Sequence, residues 1–456
     1  MDQPGPTCID VYEPGKRPRK GWHPCQIGKH VRFSSDHLQS YCFAEWDETV
    51  YDALLVAAVV EFCDRVERRP AYTWSRDFRV RIPVHSLAIW NRSEVKESLI
   101  EALTFLMGDT WDFEFIQRQK AAEKPLQHNI PLPSGLEAVI PFSDGLDSRA
   151  VGRLTELQLG KALIRVRIGT GSWDQATLAK QPSHFTSIPY KVLTSGSEFA
   201  ESSARSRGFK FTLISGLASY LSKAPRVIMT ESGQGALGPS LVPVGQAYED
   251  YRNHPLFTQR MEKFISSLLG WTIRFEFPRL WETKAQTLRL FVEQCQDSSA
   301  LIDTRSCWQG SRQVGVNGVR RQCGICAACL LRRMSLHAAG ILEPQTNYVW
   351  ENLRSARFCD GVAEGFSRNR ITSSFREYAI AGALHLDHLA TLNESALNAR
   401  RLKASASSLS ATLGISRTDA ESRLTWLLNQ HAAEWKNFMQ SLGNDSFMTK
   451  WTETPQ

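Results

Sequence analysis

The chain has 456 residues, 42% of them apolar and 22% charged, which excludes a disordered, collagen-like or coiled-coil protein for the bulk of its length. At roughly 150 residues per domain this length predicts two or three domains, each able to bury a core without disulfide staples. Fifty-four basic against 47 acidic residues give a net +7, a mild bias that suits a phosphate-bearing ligand or a nucleic acid and requires neither.

The longest purely apolar run, Ala53 to Val60, spans eight residues, far short of the roughly 20 that cross a bilayer. Met1 to Pro6 has no basic n-region and no apolar h-region. The expectation is a cytoplasmic protein with no membrane partner.

Pro4, Pro6, Pro14, Pro18 and Pro24 predict an irregular arm over the first thirty residues. A helix is expected from Asp47 to about Arg68. Phe78 to Val84 then alternates apolar and basic residues, as a half-buried strand does. A helix over 93–107 and a strand over Trp111 to Phe115 complete a small α+β domain, 1–135. Its end, with Pro125, Pro131 and Pro133, reads as a linker.

Leu136 to Phe142 is a mostly apolar strand that stops abruptly at Ser143-Asp144-Gly145. Strands at 163–168 and 226–230 and a helix at 211–222 follow. Such alternation predicts a parallel sheet with helices on both faces over 136–344. The remainder, 345–456, reads as helical. Its clearest helix opens with Thr418 and Glu421 in capping-box spacing. It places Leu424, Leu427, Leu428, His431, Trp435 and Phe438 on one face.

Ser143-Asp144-Gly145-Leu146-Asp147-Ser148 joins that strand to a predicted helix. At such a junction backbone N–H groups and the helix N-terminus converge on one spot, which favours an anion. Gly145 allows the chain to turn tightly. Ser143 and Ser148 supply hydroxyl donors, and Asp147 can orient a loop amide or a magnesium ion. Ordinary strand-to-helix turns share this composition, so the hexapeptide alone leaves both readings open.

Cys307, Cys323, Cys326 and Cys329 form a second pattern, with fifteen residues between the first pair and two between each later pair. Four soft ligands with such spacings suit an all-thiolate tetrahedral zinc site, structural because no position remains for a water. An iron–sulfur cluster also takes four thiolates. Arg321, Arg332 and Arg333 are expected to help keep the thiolates ionised. Cys8, Cys25, Cys42, Cys63, Cys295 and Cys359 show no ligand spacing.

The hexapeptide resembles the pyrophosphate loop of N-type ATP pyrophosphatases, Ser-Gly-Gly-x-Asp-Ser, with Asp144 in place of the first glycine. Loop and cysteines together resemble the QueC, or 7-cyano-7-deazaguanine synthase, family. Arg207 with Phe211 is similar to its Arg-Asn-x-x-Phe, with Gly208 for the asparagine. Tyr248-Glu249-Asp250-Tyr251-Arg252 is similar to its Tyr-Pro-Asp-Cys-Arg, and Thr283-Lys284-Ala285 to its Thr-Lys-Ala. Thr304 to Trp308 and Cys323 to Cys329 resemble its zinc segment. Where the family carries Gly-x-Asn-x-x-Asp, this chain has Thr230 to Gly235, and Glu231 is the nearest acidic residue.

The resemblance covers 136–344 and implies a parallel sheet of the PP-loop type with a four-cysteine zinc knuckle. It implies that a 7-deazaguanine carboxylate attacks the α-phosphate of ATP, with Mg2+. Ser143, Asp144, Gly145, Leu146, Asp147, Ser148 and Ile168 would bind ATP and its pyrophosphate. Lys284, Arg207 and Asp147 would be catalytic. Arg207, Phe211, Tyr248, Asp250 and Arg252 would bind the deazaguanine. Enlarged relatives occur in bacterial antiphage operons, so other proteins of such an operon, a QatB-like one first, are the expected partners.

Two other classes stay open. Ser408 to Ser416 running into Arg423-Leu424 has a helix-turn-helix pattern, which with a zinc knuckle and a positive charge would suit a nucleic-acid module. An inactive scaffold that keeps only fold and metal is the other.

Overall fold

The computed structural model describes residues 5–33, 47–70, 73–121, 134–143, 145–167, 185–187, 190–192, 201, 205–244, 248–310 and 313–452. Asp144, Ile168 and Cys42 therefore lie outside the described residues. The chain divides into two compact units, neither of them a continuous stretch. One comprises Met1–Ser143, Glu156–Met229 and Asp250–Pro278; the other comprises Asp144–Thr155, Thr230–Glu249 and Arg279–Gln456.

The first unit opens with β1 (Thr7–Tyr12), β2 (His23–Gln26) and β3 (Val31–Phe33), then α1 (Glu48–Val66), β4 (Asp77–Val84), α2 (Ser93–Met107) and β5 (Thr110–Gln117). The strands pair in the order β2-β1-β4-β5, all parallel. The expected irregular arm is thus two strands of a sheet. Pro14 and Pro18 fall in the connection between them, and Pro24 sits on an edge strand, where a missing N–H can face away from the ladder. The sheet is parallel throughout, where a small α+β layer was expected.

A second parallel sheet follows in the same unit: β6 (Ala138–Phe142), β7 (Leu163–Arg167), β8 (Phe185–Ser187), β9 (Tyr190–Val192), α4 (Ser206–Ser222), β10 (Arg226–Ile228), α5 (Pro255–Leu269) and β11 (Arg274–Glu276), while α3 (Leu146–Leu159), which joins β6 to β7, belongs to the second unit up to Thr155. Its order is β11-β10-β6-β7-β8, and every pair is parallel, while β9 pairs antiparallel with β3. Successive strands proceed outward on one side of β6 and then restart on the other. That is the doubly wound pattern, with its switch point between β6 and β10.

Helix α1 is buried nearly all round, from Thr49 to Val60, as its even distribution of apolar residues requires. Its Asp47 cap accepts from Thr49 N–H at 2.7 Å and from the Tyr220 hydroxyl of α4 at 2.9 Å. Glu61 takes Lys210 of α4 at 2.8 Å, and Asp64 takes the Ser206 N–H at 2.9 Å. Ile9, Val56, Val80 and Phe113 consequently share one core with Val139, Val166, Val227 and Phe264.

The second unit contains α6 (Lys284–Cys295), α7 (Ala327–Ala338), α8 (Ser373–Thr391), α9 (Ala399–Leu413) and α10 (Arg417–Leu442). The tail is helical as expected. Its last long helix is capped by Ser416, whose hydroxyl accepts from Asp419 N–H at 3.0 Å. Thr418 lies within the helix, and Glu421 pairs with Arg417 at 2.8 Å. Leu424, Leu427, Leu428, His431, Trp435 and Phe438 are all buried, as the pattern predicts.

Among the described residues no helix is long and apolar enough to cross a membrane.

Candidate functional site

The Ser143 to Ser148 segment follows β6 in the chain, and Thr230 follows β10. These two stretches meet: Ser148 Oγ lies 3.4 Å from Thr230 Oγ1. The Arg149 N–H donates to the Gly145 carbonyl at 3.0 Å, which starts α3 immediately after the turn. The Leu146 side chain is buried among Leu288 and Phe291 of α6 and Leu336 of α7, so it clamps the loop onto α6.

That clamp brings the next residue, Asp147, to the first residue of α6. Asp147 Oδ2 forms an ion pair with Lys284 Nζ, their side chains only 12% and 8% exposed. Asp147 Oδ1 is buried with no hydrogen-bond partner among the described residues. An orphaned buried carboxylate oxygen is costly, on the order of 1–3 kcal/mol, unless a donor or cation reaches it. This oxygen fits a magnesium ion or a donor of a bound ligand.

Lys284 is held from behind. Thr283 caps α6 in a two-way capping box: its Oγ1 accepts from Gln286 N–H at 3.2 Å, and Gln286 Oε1 accepts from Thr283 N–H at 2.8 Å. The Lys284 N–H donates to Gln234 Oε1 at 2.8 Å. Gln234 Nε2 in turn lies 2.9 Å from His431 Nδ1 and 3.4 Å from Glu434 Oε2. Glu434 Oε1 accepts from the Thr283 hydroxyl at 2.6 Å.

The tautomer of His431 follows from its neighbours. Its Nε2 lies 2.8 Å from the Leu386 carbonyl, which can only accept, so Nε2 carries the proton and Nδ1 accepts from Gln234. Burial keeps this imidazole neutral, pushing its pKa down to about 4. Burial raises that of Glu434, against the bonds from Thr283 and Gln234.

Arg207, Phe211, Asp250 and Arg252 belong to the first unit, whereas Gly145 to Ser148, Tyr248 and Lys284 belong to the second. Within the first, Arg207 stacks its guanidinium 5.0 Å above the Phe211 ring. Arg252 forks onto Asp250, with its Nε 2.9 Å from both carboxylate oxygens, and Arg205 stands 3.6 Å from the same group. Burial alone would raise the Asp250 carboxyl, but the charges of Arg252 and Arg205 hold it below the usual range. Gly208 is held close to Arg252. A Cβ there would lie 2.7 Å from Arg252 Cγ and 3.0 Å from its Cα.

Glu231 folds back over its own loop. Its Oε2 is 2.4 Å from where a Gly235 Cβ would stand.

The four cysteines converge. Cys307, Cys323, Cys326 and Cys329 have all their Sγ atoms within 4.8 Å of one another, and Cys323 Sγ to Cys329 Sγ is 3.7 Å. A tetrahedral ion with Zn–S bonds of ~2.3 Å sets sulfur atoms about 3.8 Å apart, so the donor set fits one such ion. Backbone N–H groups of Gln309 and Cys323 donate to Cys307 Sγ at 3.4 and 3.2 Å, and that of Cys326 donates to Cys323 Sγ at 3.3 Å. Gly324 makes the turn with φ +85°, and a Cβ would meet the Trp350 carbonyl at 3.0 Å.

Hydrogen bonds from Cys323, Cys326 and Cys329 lower the Cys307 thiol, while burial pushes Cys323 and Cys329 well up. A bound cation would favour the thiolate form of these sulfurs. Of the arginines expected to help ionise the sulfurs, Arg333 is favoured by the charges of Cys329 and Cys323, and all three also hold the surrounding chain. Arg321 pairs with Glu351 at 2.5 Å, Arg332 with Glu343 at 2.7 Å, and Arg333 donates to the Trp350 carbonyl at 2.6 Å. They clamp the chain around the knuckle.

Compared with protein-family models, curated proteins and solved structures, the chain matches none of them.

Thr283 adjoins Lys284 in its motif, but motif spacing alone gives Gln234, His431 and Glu434 no part in fixing Lys284. Thr283-x-x-Gln286 is a capping box legible in the sequence, but the partners on α10 lie 151 to 200 residues from theirs and leave no local signal.

Proposed function

We propose that this chain is a QueC-like enzyme, most similar to the QatC proteins of antiphage operons, that adenylates a 7-deazaguanine carboxylate and transfers it to an amine. One observation carries this reading. Asp147 and Lys284, taken from two separate motifs 137 residues apart, meet as a nearly buried ion pair between the first turns of two helices, α3 and α6. Helix N-termini favour anions such as phosphates.

In the first step a carboxylate oxygen attacks the α-phosphorus of ATP, the bond to the bridging oxygen breaks, and pyrophosphate leaves. Such a step needs positioning and charge neutralisation more than covalent help. Ser143, Gly145 and Ser148 cradle the departing phosphates, Lys284 and Arg207 neutralise them, and Asp147 Oδ1 is the oxygen offered to magnesium. Asp250, Arg252 and Phe211 recognise the deazaguanine. In the second step an amine attacks the acyl carbon and AMP leaves. The acceptor is an amine of a partner protein from the same operon. The four-cysteine centre holds zinc, because a single tetrahedral ion suits the compact sulfur set better than a multi-iron cluster.

The test is ATP–pyrophosphate exchange by the purified, zinc-replete chain with and without 7-carboxy-7-deazaguanine. Exchange that requires the deazaguanine is expected. No exchange by folded, metal-loaded protein overturns the adenylation reading.

A further inference from the structure

Helix α10 reaches the N-terminus of α6, where Lys284 stands. Glu434 and His431 of α10 are both buried, and both make polar bonds that end at the N-terminus of α6. One path runs from the Leu386 carbonyl through His431 and Gln234 to the Lys284 N–H. The other runs from Glu434 to the Thr283 hydroxyl, one residue before Lys284. Gln234 belongs to both, because its amide also faces Glu434 Oε2 at 3.4 Å.

Each group has a single consistent role. Gln234 must present Oε1 to an N–H and its amide hydrogens to His431 and Glu434. His431 must be neutral with its proton on Nε2. Glu434 accepts from both Thr283 and Gln234. A buried network in which every member is satisfied holds one geometry rather than several. This one fixes the first turn of α6, from which the Lys284 side chain leaves for Asp147.

We propose that Glu434, His431 and Gln234 are positioning residues for Lys284, which makes the tail helix α10 a working part of the site and not an appendage. Loosening the network frees the lysine from Asp147 while leaving the fold in place. The geometric part stands on the bonds alone; its bearing on turnover rests on the adenylation reading.

The experiment therefore has two arms on the full chain. In the first, lysines are labelled with a trace acylating reagent, and the rate at Lys284 is read by peptide mass spectrometry. In the wild type, burial and the Asp147 pair are expected to protect Lys284. Glu434→Ala and Gln234→Ala should each raise labelling at Lys284 at least tenfold, with surface lysines such as Lys263 unchanged. Glu434→Gln keeps an oxygen for the Thr283 hydroxyl and should recover part of the protection. Unchanged labelling at Lys284 in both alanine variants, folded by circular dichroism, overturns the proposal whatever the enzyme does. If only one of them folds, that variant decides.

In the second arm exchange kinetics are compared in a cycle with Lys284→Ala. Glu434→Ala should lower kcat roughly tenfold or more with little change in the KM for ATP, and should add nothing once Lys284 is gone. Equal losses on both backgrounds would mean that Glu434 acts on stability and not through Lys284. A wild type that labels as described but shows no exchange sinks the adenylation reading and leaves the positioning role intact.

Discussion

Asp147 gives one carboxylate oxygen to Lys284 and keeps the other buried with no partner among the described residues. The pair is therefore unequal: the lysine is satisfied and the acid is not. Two nearly buried charges of opposite sign offset each other, but removing either leaves the survivor desolvated, a loss of about 3–5 kcal/mol in comparable settings.

The first prediction follows from that imbalance. Lys284→Met should destabilise the folded chain by ~3 kcal/mol, and adding Asp147→Asn should restore most of the loss. Urea titrations of the two single variants and the double variant read this directly. Exchange activity should behave otherwise: it falls at least 100-fold in both singles and stays lost in the double, since charge at the phosphates is missing in each. If the stability of Lys284→Met matches the wild type, the pair contributes no more than an exposed one.

A second prediction concerns the metal. Elemental analysis of the purified chain should give about one zinc per molecule, and Cys323→Ser or Cys329→Ser should lose it. Cys323, Cys326 and Cys329 lie in one core with Trp350, Phe375, Ala379, Leu386 and Trp435. Loss of the ion should thus loosen the packing of α7, α8 and α10 as well as the knuckle. Hydrogen exchange is expected to rise in α10 on chelation, far along the chain from any cysteine. A metal-free protein with the same exchange pattern would show that the sulfur cluster needs no ion.

The third prediction lies in the first unit. Asp64 and Asp109 are buried between Arg69 and Arg76, with Arg76 2.8 Å from both acids and Arg69 3.1 and 3.0 Å from them. Arg76 also donates to the carbonyls of Asp64 and Glu67 at 2.8 and 2.7 Å. Desolvation works against the Arg76 charge, but Asp109 and Asp64 more than restore it. Arg76→Met leaves two buried acids with one cation and should cost about 3–5 kcal/mol. Arg79→Met, which breaks an exposed pair with Asp112, should cost less than ~1 kcal/mol. Similar midpoints for the two variants in a denaturant series would contradict the distinction.

These features were unequally legible. The helices at 48–66 and 93–107 and the strand at 77–84 follow from periodicity, because each buries a defined face or run of residues. The cysteine centre follows from spacing, since a knuckle is a local turn. The strands at 7–12 and 23–26 were hidden by prolines, whose positions in a connection and on a sheet edge depend on pairing with residues some seventy positions away. The switch point is a property of strand order, which no single segment carries. His431 looked like one more position on an apolar stripe, and only its contacts with Gln234 and Leu386 separate it from Leu427 or Leu428.

That same histidine makes a pH prediction with a definite sign. Burial holds its folded pKa down to about 4, against ~6.5 for an unfolded chain. Between these values the unfolded chain binds a proton that the folded chain refuses, so stability falls as pH drops from about 6.5 toward 4, by at most ~1.4 kcal/mol per pH unit. Two titratable neighbours face it. His385 adds positive repulsion in the same direction. Glu434, raised by burial, works in the opposite direction above its ordinary carboxyl range. Both remain in His431→Gln, so wild type minus variant isolates the imidazole. The difference should be constant above pH 7 and should shift against the wild type by roughly 2 kcal/mol by pH 4.5. Urea unfolding at the two pH values measures it. A difference that does not move with pH would mean that His431 takes up a proton as readily in the fold as in the unfolded chain, which its bond from Gln234 to Nδ1 opposes.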